Sequence, residues 1–220
     1  MKRFTLAYVV PTVALLAWFA LPLARGERTL VLRDVLNSHL NLKTSQAEAM
    51  REGSIPLVDI YRAGGQPLAG NPNAVPFYPD NLLYLVASPL WSLNAHFWLH
   101  LLLAPFAFYW MARAFGLGRE GAWAGAVAWT FSGFFLSHLN FYNLVAGVAW
   151  APAFVAASLR LGRGHDGERG QRWMPAAIAV LWALLLVAGD PLMALLTLGL
   201  GGTAFLFRGG RPKLSSCLLF

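Results

Sequence analysis

The stretch FTLAYVVPTVALLAWFALPLA, residues 4–24, decides the class of fold. It contains no charged side chain, and at about 1.5 Å per residue a helix of this length crosses roughly 30 Å of hydrocarbon. Lys2 and Arg3 precede it. A cleaved signal peptide is the alternative, but the apolar stretch is longer than a usual signal core and the cleavage signal is poor. We therefore predict that this stretch is the first membrane span.

The composition of the whole chain points the same way. Of the 220 residues, 57% are hydrophobic and 12% are charged, whereas about a quarter of the residues in a soluble domain are charged. Much of the surface must therefore face lipid. The formal net charge of +7 would suggest nucleic acid in a soluble protein, but cytoplasmic loops of a membrane protein explain it more simply. We expect the lipid bilayer as a partner, and no nucleic acid.

Five further apolar runs predict membrane spans. They cover residues 91–111, 122–139, 144–161, 173–188 and 192–207. The sequence therefore predicts a single all-α polytopic membrane domain, residues 1–220, with about six transmembrane helices. A long loop at 25–81 separates the first span from a helical bundle at about 82–207. Residues 217–220 resemble the start of a seventh span, so we expect a chain truncated at its C-terminus, with a possible partner chain or a missing C-terminal half.

The distribution of basic residues predicts the orientation of the spans. With the N-terminus in the cytoplasm and the spans alternating, the short outer connections contain no Lys or Arg, as the positive-inside rule requires. The inner side then holds Lys2, Arg3, Arg113, Arg119, Arg160, Arg163, Arg169, Arg172, Arg208, Arg211 and Lys213. The other basic residues lie in the long loop. We therefore predict a protein of the cytoplasmic (inner) membrane, with a cytoplasmic N-terminus and an extracytoplasmic long loop.

The beginning of the long loop has the pattern of an amphipathic helix over residues 34–52. At 100° per residue, its polar and apolar residues gather on opposite sides. The polar side holds Asp34, Asn37, Ser38, Asn41, Ser45, Glu48 and Glu52. His39 falls on the apolar side and is interpreted as a packing residue, and Gly53 is the stop signal. Such a helix suits a membrane surface or the outer ends of the spans.

The rest of the long loop combines turn-forming residues with aromatic ones. Glycines and prolines are dense between residues 59 and 81, yet Tyr61, Phe77 and Tyr78 lie among them, which is unusual for a flexible linker. We expect an ordered loop that covers the mouth of the bundle. Aromatic and amide side chains in such a loop can bind sugars, and they can equally form a structural plug. The sequence leaves both interpretations open.

Two carboxylates at the predicted outer ends of the spans have two interpretations each. Asp34 can cap the amphipathic helix by accepting backbone N–H groups, or it can be a catalytic carboxylate at the membrane surface. Asp190, which Pro191 follows, can mark a turn between spans, or it can be a second carboxylate close to Asp34 at the outer mouth.

Two histidines and three glycines in the predicted spans also need an interpretation. His96 and His100 are four residues apart on one helix face, a spacing that can bind a metal ion. No nearby acid completes a site, so we interpret them as a buried interhelical polar pair and predict no metal site. Gly199, Gly201 and Gly202 are interpreted as helix-packing positions.

The order of several short motifs is similar to that of a known family. The motifs are Arg33-Asp34, Gly65-Gln66-Pro67, Asn71-Pro72, Tyr78-Pro79-Asp80-Asn81, Phe131-Ser132-Gly133-Phe134, Trp150-Ala151-Pro152 and Gly189-Asp190-Pro191. Over about residues 30–195 this arrangement resembles the bacterial YfhO-like membrane proteins and, more broadly, the GT-C glycosyltransferases. GT-C proteins usually have more than six spans, and in this respect the chain departs from their pattern.

The resemblance implies an enzyme that takes a sugar from a polyprenyl-phosphate donor at the outer face and transfers it to an envelope acceptor. In such enzymes an acid in the first outer loop typically acts as general base, and Asp34 occupies that place. Arg33 and Arg62 are candidates for binding the donor phosphate, and Tyr78 and Asp190 are candidates for other substrate contacts. The resemblance identifies no cofactor.

A non-catalytic membrane scaffold or a transporter-like subunit is the alternative function. A transporter is expected to place ionisable groups midway through its spans, whereas the ionisable groups of this chain are predicted at the outer ends. This distribution favours chemistry at the membrane surface over transport.

Overall fold

The computed structural model describes residues 4–30, 34–62, 64–163 and 173–206, and most of them are helical. A π-helical segment, Thr5–Val9, leads into α1 (Val10–Ala24), and a second one, Val35–Leu40, leads into α2 (Asn41–Arg51). The other helices are α3 (Leu83–Val86), α4 (Pro89–Ala114), α5 (Arg119–Thr130), α6 (Gly133–His138), α7 (Tyr142–Arg163), α8 (Met174–Val187) and α9 (Pro191–Leu206). A 3-10 turn, Pro79–Leu82, precedes α3, and the antiparallel strands β1 (Val58–Asp59) and β2 (Gln66–Pro67) form a small hairpin.

Three of the described helices are long and apolar enough to cross a membrane. They cover Ala7–Ala24, Pro89–Ala114 and Tyr142–Gly162, which agrees with the first, second and fourth predicted spans. α8 and α9 are shorter: with 14 and 16 residues they reach roughly 21 and 24 Å. The chain is therefore a largely helical protein with membrane-spanning character, and the total of six spans stays a prediction.

The third predicted span is divided into two helices. α5 ends at Thr130, and α6 begins after Ser132, whose hydroxyl oxygen accepts the backbone N–H of Phe135 at 3.1 Å. This is the side-chain cap of a helix N-terminus. Ser132 therefore starts a new helix here, where the apolar run alone predicted a continuous one.

α4 and α7 form the centre of the bundle. α4 packs against α1, α5 and α7, and α7 packs in turn against α8 and α9. Their shared core contains fully buried side chains, among them Leu16 of α1, Phe97 of α4 and Val145 of α7. Lipid tails are as apolar as these side chains, so close packing holds such helices together in a bilayer.

The helix predicted at the start of the long loop is present. The π-helical segment and α2 are continuous over residues 35–51, and Gly53, at φ +74°, ends the helix. Val35, His39 and Ala47 are buried, as the periodicity predicts. Lys43 is also fully buried, because it lies on the same face as His39 and Ala47.

The described part of the long loop is ordered and packs on one end of the bundle. Val75 and Tyr78 belong to the same buried core as Phe97 and Tyr142. Val75 has φ +37°, a conformation that a β-branched residue rarely adopts, so the packing of its side chain must offset backbone strain.

The turn between α8 and α9 interlocks with this loop. Gly189 has φ +84°, and a Cβ atom at this position would overlap the carbonyl oxygen of Pro72 and the side chain of Val75. Only glycine allows both the conformation and the close approach. The loop and the end of α8 are therefore fitted to each other.

Of the three glycines interpreted as packing positions, one makes a close helix contact. A Cβ on Gly201 would lie 2.5 Å from Phe154 Cε1 and 2.9 Å from Ser158 Oγ, both on α7. Gly199 and Gly202 have open space around the same position. The interpretation was wrong for those two, because they lie on faces of α9 that do not meet α7.

Because Gly201 is closely packed and Gly199 is not, the two positions provide a matched pair of variants. Gly201→Ala should destabilise the protein by about 1–3 kcal/mol, because the added methyl group overpacks the α7–α9 contact. Gly199→Ala should leave stability unchanged or raise it by up to about 1 kcal/mol, through helix propensity alone. Thermal unfolding in detergent, followed by circular dichroism, measures both. Equal effects of the two changes would contradict the packing role of Gly201.

Candidate functional site

A polar groove lies between α2 and the β1–β2 hairpin, and we call it the loop groove. Its volume is about 500 Å³. It is lined by Asn41, Thr44, Ser45 and Glu48 from the helix and by Asp59, Tyr61 and Arg62 from the hairpin. Two carboxylates, a guanidinium, hydroxyls, an amide and an aromatic ring are thus gathered on one surface of the long loop.

Asp59 organises the hairpin side of the loop groove. Its carboxylate is almost completely buried. The Oδ1 atom accepts the hydroxyl of Ser45 at 3.2 Å and the backbone N–H of Tyr61 at 3.0 Å. The Oδ2 atom lies 3.6 Å from Nε of Arg62. Asp59 therefore forms an ion pair with Arg62 and joins the hairpin to α2.

The exposed part of the loop groove combines an aromatic ring with hydrogen-bonding and charged groups. The Tyr61 side chain is 71% exposed, and the carboxylate of Glu48 beside it raises the pKa of Tyr61 above its ordinary value. Its phenol is therefore protonated near neutral pH and can donate a hydrogen bond. An exposed aromatic ring surrounded by carboxylate, amide and hydroxyl groups can contact both the C–H and the O–H groups of a sugar.

A second set of polar groups is buried where the long loop meets the bundle. Lys43 is its centre on the loop side. Its ammonium group donates to Gln46 Oε1 at 3.1 Å, to the carbonyl oxygen of Ala74 at 2.6 Å and to Asn81 Oδ1 at 2.8 Å. It also lies 4.1 Å from the ring centroid of Tyr142. Burial lowers the pKa of Lys43 to about 7, against the opposing attraction of Asp80.

The bundle side of this set contains an acid and two histidines. Nδ1 of His96 lies 2.5 Å from Asp80 Oδ2, and its Nε2 lies 2.7 Å from the carbonyl oxygen of Tyr142. His100 Nδ1 lies 2.6 Å from the carbonyl oxygen of His96, and its Nε2 lies 2.6 Å from the hydroxyl of Tyr78. We call Asp80, His96 and His100 the acid–histidine cluster.

The acid–histidine cluster corrects one conclusion from the sequence. The expectation that no nearby acid accompanies the two histidines was wrong, because the 3-10 turn Pro79–Leu82 brings Asp80 against α4. Burial alone would raise the pKa of Asp80, but the charge and hydrogen bond of His96, helped by His100 and Lys43, lower it below its ordinary value. Each of the three side chains offers one ligand atom, and these atoms lie within 4.8 Å of one another.

His39 is buried beside this region and acts as a connector. Its Nε2 accepts the backbone N–H of Tyr142 at 3.3 Å, so its Nδ1 carries the proton and donates to the carbonyl oxygen of Asn73, also at 3.3 Å. The packing role predicted for His39 therefore includes two hydrogen bonds. Burial lowers the pKa of His39 to about 4, with a further lowering from Lys43.

The candidate site residues named from the sequence have different surroundings in the structure. Arg62 lies in the loop groove. Tyr78 is 4% exposed and bonds to His100 and Trp150 in the interior. Asp190 Oδ1 accepts the backbone N–H groups of Leu192 and Met193, each at 3.1 Å, so it caps α9. Arg33 lies outside the described residues.

Asp34 is half-buried and occupies the N-cap position of the segment Val35–Leu40, but its side chain makes no capping hydrogen bond there. It does not line the loop groove. Asp34 lies eleven positions before Ser45 along a continuous helix, which corresponds to roughly 16 Å along the axis. A ligand in the groove reaches Asp34 only if it extends along the polar side of the helix.

Sequence reasoning missed Lys43, Asp80 and Asn81 as members of a buried site. A signal for Lys43 was present: it lies four residues from both His39 and Ala47, on the face predicted to be buried. Asp80 and Asn81 belong to the Tyr78-Pro79-Asp80-Asn81 motif. Their partners are distant in the chain, so spacing could not identify the contacts.

Comparison with known proteins does not place the chain in a family. A scan of protein-family models finds no match, and neither the curated proteins nor the solved structures contain a significantly similar chain. The resemblance to YfhO-like and GT-C proteins therefore stays a prediction from the motifs.

The surroundings of His39 predict acid sensitivity. The pKa of His39 is about 4 in the folded protein and about 6.5 in the unfolded chain. Between these values the unfolded chain binds more protons, so His39 stabilises the fold fully above pH 6.5 and this contribution is lost as the pH falls toward 4. The loss is on the order of 3 kcal/mol.

Thermal unfolding in detergent between pH 7 and pH 4 tests this effect. The wild type should lose stability over that range, and His39→Gln should lose clearly less. His138→Gln is the control, since His138 lies on α6 and bonds to the carbonyl oxygen of Phe134. If His39→Gln loses as much stability between pH 7 and pH 4 as the wild type does, His39 is not the source of the loss.

Proposed function

We propose that this chain acts as a GT-C-like membrane glycosyltransferase, or as the N-terminal part of one. It would transfer a sugar from a polyprenyl-phosphate donor to an envelope acceptor at the outer face of the membrane. The observation that carries the proposal is the loop groove, in which Glu48, Asp59 and Arg62 lie beside the exposed ring of Tyr61. The motifs that resemble the YfhO-like proteins add support.

The charges of the loop groove suit a sugar substrate with hydroxyl groups. Carboxylates accept hydrogen bonds from hydroxyls, and the Arg62 guanidinium donates to oxygen atoms of a sugar or a phosphate. Asp59 pairs with Arg62, which keeps this donor beside the groove before substrate arrives. Positioned donors reduce the entropic cost of binding.

Asp34 is the proposed general base, as the resemblance implies. Its carboxylate is half-buried at the start of the helix whose polar side leads to the loop groove. A base must lie within hydrogen-bond reach of the proton that it removes. We therefore propose that one part of the substrate occupies the groove while the reacting hydroxyl lies near Asp34.

A non-catalytic scaffold is the second candidate, and a specific observation favours it. The buried titratable groups Lys43, Asp80, His96 and His100 are hydrogen-bonded to other protein groups. Such a set fixes the loop on the bundle without needing a substrate. The transferase proposal therefore depends on the exposed groove and Asp34.

We also propose the location of the chain: the cytoplasmic (inner) membrane, with about six spans, a cytoplasmic N-terminus and an extracytoplasmic loop groove. The absence of Lys and Arg from the predicted short outer connections supports this orientation. It places the groove on the side where a lipid-linked sugar donor would be presented.

Incorporation of labelled sugar into lipid or envelope acceptors tests the transferase proposal. In membranes that contain equal amounts of each variant, Asp34→Asn should reduce incorporation by roughly 10²-fold or more, because a general base is lost. Arg62→Gln should reduce it less. Glu120→Gln, an exposed position at the start of α5, is the control and should match the wild type. Wild-type incorporation by Asp34→Asn would remove Asp34 from the mechanism, and no incorporation by any form would favour the scaffold.

Cysteine labelling tests the orientation. In a Cys217→Ser background, Ser54→Cys should react in intact cells with a thiol reagent that does not cross membranes. Glu120→Cys should react only after the cells are permeabilised. Both positions are exposed, so accessibility to solvent does not distinguish them. The reverse labelling pattern would show that the chain has the opposite orientation in the membrane.

A further inference from the structure

We propose that Asp80, His96 and His100 bind a divalent transition-metal ion, with zinc as the expected metal, at the junction of the long loop and α4. This site is separate from the loop groove and does not depend on the proposed transferase activity. It uses one carboxylate and two imidazoles, a ligand set typical of such metals in proteins.

The helix positions the two histidines for a shared ligand. His96 and His100 are one turn apart on α4, and their ring centroids are 4.3 Å apart. Residues four apart lie on the same helix face. Asp80 approaches this face from the 3-10 turn, with Oδ2 at 2.5 Å from His96 Nδ1. Two ligands therefore come from a span and one from the loop.

The spacing of the ligand atoms is close to that of a bound metal. They lie within 4.8 Å of one another. Around a tetrahedral zinc ion, with bonds of about 2.0–2.2 Å, neighbouring ligand atoms are roughly 3.3 Å apart. Metal binding would therefore open the short Asp80–His96 contact and draw His100 inward, through shifts of about 1 Å that side-chain rotation can provide.

The hydrogen bonds around His96 show that it sits between two acceptors. The carbonyl oxygen of Tyr142 can only accept, so Nε2 of His96 must donate to it. Nδ1 of the same ring faces the carboxylate of Asp80, with Oδ2 at 2.5 Å. A divalent cation placed between these two groups would bind Nδ1 of His96 and the carboxylate of Asp80 at once.

The outer partners of the ligands are those that metal-bound histidines usually have. Metal-binding imidazoles commonly donate their other N–H to a backbone carbonyl, which fixes the ring and its tautomer. His96 donates Nε2–H to Tyr142, and His100 donates Nδ1–H to the carbonyl oxygen of His96 at 2.6 Å. This leaves Nε2 of His100 as the ligand atom.

The groups around the ligands complete the arrangement. The hydroxyl of Tyr142 donates to Asp80 Oδ1 at 3.1 Å, which orients the carboxylate. The Tyr78 hydroxyl lies 2.6 Å from His100 Nε2 and would move aside or supply a fourth oxygen. Asp80 is the partly exposed member, at 11%. The bound ion would thus tie the loop to α4 and stabilise the fold.

Metal binding by the purified full chain tests the proposal. The protein, in detergent and stripped with a chelator, is titrated with Co²⁺ and followed by visible absorption. Zinc is then counted by elemental analysis after dialysis. We expect one ion per chain, intense absorption bands of a tetrahedral Co²⁺ site, and a higher unfolding temperature with Zn²⁺. Asp80→Asn and His100→Gln should each weaken binding by at least about tenfold.

His138→Gln serves as the matched control, because it removes a histidine outside the cluster and should leave binding unchanged. Stoichiometric binding that Asp80→Asn and His100→Gln do not weaken would overturn the proposal. So would a wild-type protein that retains no zinc and gives no Co²⁺ bands. If a variant fails to fold, the spectrum and metal content of the wild type still decide, since these need no substitution.

Discussion

The buried ammonium group of Lys43 joins the segments on which the rest of the structure depends. It belongs to α2, and its acceptors lie on α2 itself and on the loop around Ala74 and Asn81. A buried charge left without partners costs several kcal/mol, so α2 and this part of the loop must fold together. The loop groove lies on the other side of α2, and the turn that holds Asn81 also presents Asp80 to His96. Lys43 thus links α2, which lines the loop groove, to the turn that carries Asp80 of the acid–histidine cluster.

The bilayer explains where the polar groups are placed. Among the described residues, the buried acidic, basic and histidine side chains belong to the long loop or to the first half of α4. Ionisable groups within a span are costly unless they find partners. Here the loop supplies those partners, since Asp80 pairs with His96 and Tyr78 with His100. The loop therefore supplies hydrogen-bond partners to the two histidines of α4, and it also covers that end of the helix.

Much of this architecture follows from one-dimensional patterns. Apolar runs located three long helices, and helical periodicity located α2 and the burial of His39. Contacts between distant parts of the chain could not be predicted from these patterns. Asp80 and His96 lie in separate elements, so no helical periodicity relates them. A lysine is not expected to be buried, and the acceptors that allow the burial of Lys43 cannot be identified from the sequence. The division of the third predicted span depends on the capping hydroxyl of Ser132, which a hydropathy pattern does not register.

The fit between Gly189 and the loop has a consequence for the order of assembly. The loop is synthesised well before α8 and α9, yet its carbonyl oxygen at Pro72 and its strained Val75 pack against the turn between those helices. Contacts between distant parts of a chain form late, because the intervening segment must first be closed. The loop therefore reaches its final position only after α8, α9 and the turn between them have formed. Until then it is accessible to chaperones, proteases and modifying enzymes on its side of the membrane.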